Sequence, residues 1–294
     1  MERRISNSRN TKPVLSSIEL TGNPEAIASC YCDIGSESKT RLISVPRASS
    51  IYDCCVRFHS IGHKCQFPDY SSINVASKIV FSLGNGIHSW LQNTPDVLGV
   101  NRVGWWRCIS CGNRLWQEGP IETACPTCGA FKTAREYAEH DLSTKSPYLS
   151  TGHPDMFIRV GDFYRVVEVK TIAGDAFDKL FLPLIEHRWQ IQHYMWGCSA
   201  DNTLPVQIDP SVGYILYISK KPSWKTLPYK MFAEVKDNNI LRGIKKKLSD
   251  FTKSLEEPHY TPPLKECIES GWASTKAKWC SMKNHCKGFY EEGS

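Results

Sequence analysis

Asp155, Glu168 and Lys170 lie at the two ends of the run DMFIRVGDFYRVVEVK, which is rich in Val, Ile, Phe and Tyr and has Gly161-Asp162 at its middle. A Gly-x pair between two such runs is the signature of a two-residue hairpin loop. That loop predicts Asp155 directly opposite Glu168, and His153 opposite Lys170. Directly opposed residues share a face with their Cβ atoms about 4.5–5.5 Å apart, so two carboxylates meet where like charge is destabilising. A cation belongs there, and hard oxygen ligands with room for water suit Mg(II) or Mn(II). Lys170, two residues from Glu168 on the same face, aims its ammonium at the same spot. There it would orient a nucleophilic water or stabilise developing charge on a phosphate oxygen. The plain alternative is a surface Asp/Glu/Lys cluster.

Cysteine is the second chemistry-bearing residue type. The chain has thirteen cysteines, and its start, MERRISNSRNTKPVLSS, lacks the apolar core and cleavage site of a secretory signal. Reducing compartments keep thiols free, so metal binding is the expectation. Cys108, Cys111, Cys125 and Cys128 are spaced C-x2-C, thirteen residues, C-x2-C. Two such knuckles place four thiolates tetrahedrally around one Zn(II), which predicts a closed, structural zinc ribbon whose folding energy comes largely from the metal. Cys30, Cys32, Cys65 and Cys198 are read as unligated thiols, leaving Cys54/Cys55 and Cys267/Cys280/Cys286 for a second centre.

These residues need a scaffold, and 294 residues with 41% hydrophobic content suffice for a real core. No stretch of eighteen apolar residues is present, which predicts a soluble chain. Residues 1–45 read as a polar lead-in. SSIYDCCVRFHSIG reads as a helix start capped by Ser49 or Ser50, 76–92 as a second helix, and 134–150 as a helical or irregular bridge. DAFDKLFLPLIEHRWQIQHYMWGC reads as a helix of about 20 residues, SVGYILYIS as a buried strand, and 236–256 as a basic helix. Strands interspersed with helices imply an α/β or α+β core. Net charge is +6, and residues 211–265 alone hold eleven Lys/Arg against five acids. Such a stripe attracts a polyanion through counterion release, or is simply a solvated helix face. The ribbon's flank of Trp105, Trp106, Arg107, Arg114 and Trp116 either grips single-stranded DNA or buries the ribbon against the main domain.

Gly152-His-Pro-Asp155, Glu168-Val-Lys170 and Gln190-Ile-Gln-His-Tyr194, in that order, resemble the PD-(D/E)XK nuclease superfamily in its RecB-like branch. Gly84-Asn-Gly-Ile-His88 resembles that branch's upstream helix. The resemblance spans roughly residues 46–290 outside the ribbon. It implies Asp155, Glu168, His88 and the Val169 carbonyl as Mg/Mn ligands, Lys170 as the catalytic lysine, and Gln190 and Tyr194 as the Q-x3-Y pair linking DNA to the active site. His187 precedes Gln190 by three and shares that face. Cys280-x5-Cys286 with Cys267, plus one distant cysteine, resembles the iron-sulfur nucleases of this branch, including CRISPR-adaptation exonucleases and AddB-type helicase-nucleases. By that likeness Cys55, Cys267, Cys280 and Cys286 hold a structural [4Fe-4S] cluster. The family's Cys-x-Arg pattern favours Cys55 over Cys54, although twelve residues separate Cys267 from Cys280 where the family has two. Zinc, or no metal, at these four sulfurs is the other reading.

The fold expected is therefore α/β: a restriction-endonuclease-like core with a mixed central sheet flanked by helices, an inserted zinc ribbon and a C-terminal cysteine-rich cap. Its parts are 1–45 (lead-in), 46–104 (N-terminal helical part), 105–133 (ribbon), 134–265 (core) and 266–294 (cap). The function expected is a metal-dependent deoxyribonuclease, an exonuclease preferring single strands or ends, with DNA contacts from Lys220, Lys221, Lys245, Lys246 and Lys247. Its setting would be DNA repair, recombination, phage replication or CRISPR adaptation, with a protein partner from such an assembly, in the cytoplasm of a bacterial or phage-infected cell; an organellar transit peptide stays open. The alternatives are a catalytically weak, nuclease-like DNA-binding subunit and a zinc-ribbon scaffold of a replication or transcription assembly.

Overall fold

The computed structural model describes residues 45–64, 75–94, 101–118, 123–131, 135–221, 227–257, 261–278 and 280–291. Most of the lead-in, with Cys30 and Cys32, and also Cys65, falls outside them. After a 3-10 turn at Ala48–Ser50 come α1 (Val56–Lys64), α2 (Val75–Asn93), β1 (Asn101–Cys108), β2 (Arg114–Glu118), β3 (Arg135–Ala138), β4 (Leu142–Ser143) and β5 (Thr151–Gly152). Then follow β6 (Met156–Val160), β7 (Phe163–Ile172), α3 (Gly174–Asp178), α4 (Ile185–Ser199), β8 (Val212–Ser219), β9 (Tyr229–Val235), α5 (Asn238–Glu256), α6 (Lys265–Glu269), α7 (Thr275–Lys278) and α8 (Lys283–Glu291).

The central sheet has the order β2-β1-β6-β7-β8-β9, with β3 also pairing β1. It is mixed: β7 and β8 run parallel, joined by the α3–α4 crossover, and the remaining pairs are antiparallel. The β6–β7 register is the one the loop predicts, with Met156 opposite Val167 and Val160 opposite Phe163. Gly161 takes φ 61°, the left-handed backbone that a tight hairpin asks of its glycine.

Both faces of the sheet are covered. On one, α4 packs Ile191, Tyr194 and Met195 against Phe157, Val166, Ile215 and Tyr217. On the other, Leu91 of α2 joins Trp106, Tyr137, Met156, Val167, Val169 and Leu216. The near-continuous apolar texture of β7 follows from this double burial. Outside α4 lies α5, whose Ile240, Leu241, Ile244 and Leu248 close on Ile51 with Trp189 and Trp196 alongside. This mixed α/β architecture, a central sheet flanked by helices, is the one expected.

Several local expectations are corrected. The 20-residue helix is two: Pro183 removes an N–H and Leu184 before α4 is extended (ψ 143°), so α3 ends at Asp178 and α4 begins at Ile185. Ser49 and Ser50 lie in the 3-10 turn, and the helix itself starts at Val56. The bridge over 134–150 contributes β3 and β4, and β9 is an edge strand the sequence reading passed over. The ribbon is an insertion in sequence, yet β1 carries it into the sheet by pairing Asn101, Arg102 and Val103 with Arg159, Ile158 and Phe157 of β6.

Candidate functional site

Alternation along β7 puts Val166, Glu168 and Lys170 on the face covered by α4, and Val167 and Val169 on the face covered by α2. Asp155 immediately precedes β6. Continuing the β6–β7 ladder by one pair sets it across from Glu168, and both residues are buried. Its Oδ2 accepts the Val169 N–H at 2.6 Å, and its Oδ1 lies 3.1 Å from His88 Nδ1. Lys170 Nζ stands 2.7 Å from Glu168 Oε1, while Glu168 Oε2 is buried without a hydrogen-bond partner. Asp155 and Glu168 are thus neighbours, with His88 joined to the first and Lys170 to the second; the ligand atoms of His88, Asp155 and Glu168 do not all close to within 4.8 Å as the ribbon sulfurs do. His153 is not among them, for its ring is exposed and turned to Asp141 at 3.4 Å.

The electrostatics follow from that crowding. Burial, then Asp155, drives the Glu168 carboxyl well above the ordinary range, with Lys170 only partly offsetting them. Burial opposes the charge of Lys170, yet Glu168 and Asp155 together raise its pKa. For His88 too, burial is outweighed by its hydrogen bond to Asp155, and its pKa rises. An unpartnered, fully buried carboxylate oxygen beside a second acid is costly. A divalent cation would relieve that cost, and the donor set of two carboxylates, an imidazole and water suits Mn(II) or Mg(II).

Gln190 and Tyr194, one turn apart on α4, are buried, and Gln190 Nε2 donates to Tyr194 Oη at 3.2 Å. The His153 main-chain N–H reaches the same phenol. Gly152 makes room for the ring: a Cβ there would fall 2.6 Å from Tyr194 Cε1 and 2.9 Å from the Ala48 Cβ. Tyr194 therefore packs against the Gly152–Asp155 segment, with Gln190 bonded to its hydroxyl. His187, one turn earlier, sits 2.7 Å from Tyr217 Oη through Nδ1, and burial with Lys170 nearby lowers its pKa to about 4.

The basic stripe divides. Lys220 and Lys221 follow β8 at its C-terminal end, beside the end of β7; the Lys220 N–H bonds the Ile172 carbonyl. Lys245 lies over the Trp196 ring at 5.3 Å, Lys246 pairs with Asp250 at 2.7 Å, and Lys247 donates to the carbonyls of Ile51 (3.1 Å) and Tyr52. These three sit on α5, beyond α4 as seen from the sheet, and Lys247 is spent on holding the N-terminal turn.

The four ribbon thiols form a metal-sized group. Their sulfurs lie within 4.8 Å of one another, with Cys108–Cys128 and Cys111–Cys125 each at 3.7 Å. Tetrahedral Zn–S bonds of about 2.3 Å put sulfurs about 3.8 Å apart, so a metal such as zinc fits. The two knuckles repeat one pattern: Gly112 N–H to Cys108 O and Gly129 N–H to Cys125 O, both at 2.8 Å. Main-chain N–H groups of Cys128 and Thr127 hold the Cys125 thiol down to about 6. The ribbon's tryptophans pack inward, Trp106 into the core and Trp116 edge-on to Trp105 and beside Phe157.

Cys55, Cys267, Cys280 and Cys286 surround one cavity of about 580 Å³, with α1 on one side and α6–α8 on the other. Burial raises Cys55 to about 11, and the three C-terminal thiols add to it; Cys54, raised to about 12 by burial, feels Lys247 and Cys55 instead. Among the described residues no three of these sulfurs approach as closely as the ribbon set. Arg57, almost wholly buried, donates to the Thr261 carbonyl at 2.9 Å, lies close enough to Cys286 to draw its pKa down against burial, and leaves its Nε without a partner.

Two polar residues at the first site were missed by the sequence reading. Gln92 Nε2 lies 2.9 Å from both the Asp155 carbonyl and Glu139 Oε1. Gln92 was readable, being four residues after His88 on the same helix face; Glu139 carries no local signal.

No protein-family model and no curated protein matches the chain. Among solved structures it is similar to the alkaline exonuclease LHK-Exo from Laribacter hongkongensis, with a TM-score of 0.44 at 15% identity, over 78% of this chain and 95% of that one. The same exonuclease in complex with dAMP gives 0.42 at 12% identity, over 79% and 96%. The protein SSO0001 gives 0.28 at 21% identity, over 51% and 57%. These are likenesses of outline at low identity, and what the chain does rests on its own side chains.

Proposed function

We propose that the chain is a divalent-metal-dependent deoxyribonuclease of the RecB-like PD-(D/E)XK type, hydrolysing phosphodiester bonds as an exonuclease that prefers single strands or ends. The observation that carries this reading is the buried Asp155–Glu168 pair, with one carboxylate oxygen unpartnered and Lys170 and His88 converging on it. Asp155, Glu168, His88 and the Val169 carbonyl are the proposed ligands of Mg(II) or Mn(II), which when bound would lower the pKa of a water and neutralise phosphate charge. Lys170 donates to a non-bridging phosphate oxygen as negative charge grows there. Asp155 is kept in place by the Val169 N–H, and its segment by Tyr194 and Gln190, acting as positioning residues. Lys220 and Lys221, at the strand ends where α/β proteins bind ligands, neutralise the DNA backbone.

On this reading the ribbon cysteines hold zinc. Cys55, Cys267, Cys280 and Cys286 hold a structural [4Fe-4S] cluster that ties the C-terminal cap to the start of the core. A role in repair, recombination, phage replication or CRISPR adaptation, alongside a partner from such an assembly, belongs to the same proposal. Among the described residues no helix is long and apolar enough to cross a membrane. Purified protein incubated with end-labelled single- and double-stranded DNA and Mn(II) tests the reading. Cleavage that disappears in Asp155→Asn and Lys170→Ala is expected. DNA binding without cleavage by the unaltered protein would overturn it in favour of a binding subunit.

A further inference from the structure

The ribbon reaches the proposed metal centre. Arg114, three residues past Cys111, donates to the Glu139 carbonyl at 2.9 Å. Arg135 donates to the carbonyl of Ala124, next to Cys125, at 2.7 Å, and pairs across the sheet with Cys108. Strand β3, fixed in this way to both knuckles, ends one residue before Glu139. The Glu139 carboxylate then receives the amide N–H of Gln92, whose nitrogen also bonds the Asp155 carbonyl. The same strands fasten the end of the helix that carries His88. Arg102 donates to the carbonyls of Leu91 (2.6 Å) and Thr94 (3.1 Å), and the Tyr137 N–H donates to Asn93 Oδ1 at 2.8 Å.

We propose that Gln92 and Glu139 are positioning residues of the nuclease metal centre, through which the ribbon strands set the placement of Asp155 and His88. The inference rests on the metal-dependent nuclease reading. It gives the ribbon a role beyond self-contained stability: one amide fixes the main chain of an acid ligand, and that amide is itself oriented by a side chain the ribbon delivers. Groups that orient metal ligands from behind are worth about 10–100-fold in metal affinity. Glu139 acts here as a hydrogen-bond acceptor, a role a glutamine oxygen can fill.

Mn(II) binding to the full-length, zinc-loaded protein, without DNA, is followed by electron paramagnetic resonance for wild type, Glu139→Ala, Glu139→Gln and Gln92→Ala. Glu139→Ala and Gln92→Ala are expected to weaken Mn(II) about tenfold or more while zinc content and melting temperature stay near wild type. Glu139→Gln is expected to stay within about threefold of wild type, because the acceptor for Gln92 survives. Unchanged affinity in Glu139→Ala overturns the inference alone. Equal weakening in Glu139→Gln and Glu139→Ala also overturns it, since charge rather than placement would then be at work. Wild type that binds no Mn(II) overturns the nuclease reading and the inference with it.

Discussion

Replacing Gly152 by alanine tests how the Asp155 segment is held. Gly152 is absent from the residues with positive φ, so its backbone accepts alanine. The obstacle is space: the new Cβ would lie 2.6 Å from Tyr194 Cε1 and 2.9 Å from the Ala48 Cβ, and both neighbours belong to the packed core. Overpacking of this kind costs about 1–3 kcal/mol. Alanine also restricts the unfolded chain, returning about 0.4–1 kcal/mol. The expected net loss is about 1–2 kcal/mol, read from the urea midpoint followed by tryptophan fluorescence. Adding Tyr194→Leu removes the closer of the two clashes and leaves the one with Ala48, so the double variant should recover about 1 kcal/mol relative to additivity. DNA cleavage by Gly152→Ala should fall further than its stability does, because a displaced Tyr194 no longer steadies His153 and Asp155. A variant that gains stability and cleaves as wild type would refute this packing account.

Lys170→Met should reduce single-turnover DNA cleavage by about 100-fold or more while Mn(II) affinity changes only a few-fold, since Lys170 acts on the phosphate; a matched loss of both would contradict that role. Burial lowers the His193 pKa from 6.5 to about 4. A depressed histidine contributes stability that is present above pH 6.5 and lost as pH falls towards 4. The chain should therefore lose about 2 kcal/mol between pH 7 and pH 5 from this residue, and His193→Phe should flatten the slope in urea titrations. Protein purified without oxygen should be brown and absorb near ~400 nm, with the band lost in Cys55→Ser and kept in Cys54→Ser; a colourless sample containing zinc but no iron would reassign these sulfurs.

The confrontation of Asp155 with Glu168 was legible because a local signal, the Gly161-Asp162 turn, sets the register for every residue along both strands. The ribbon cysteines were legible for the same reason, since each knuckle is made within a few residues. Elements whose definition is tertiary were not. Strand β9 alternates weakly and gains its identity only by pairing β8, and β3 gains its own by pairing the far end of β1. The crossover helix was read through Pro183 because its apolar spacing continues on both sides of the break. Glu139 joins the site only when the ribbon strands enter the main sheet. The lysine run on α5 is partly engaged: Trp189 and Trp196 lie beneath it, Lys245 and Lys247 are half-buried against rings and carbonyls, and Lys246 stays exposed beside Asp250.

The measurement closest to the central claim is anomalous diffraction from crystals of the protein soaked in Mn(II), collected at the manganese edge. The account predicts a peak between the carboxylates of Asp155 and Glu168, with His88 turned from Asp155 towards the ion and the Val169 carbonyl within coordination distance. Crystals that bind Mn(II) elsewhere and leave Glu168 Oε2 without a partner would contradict it.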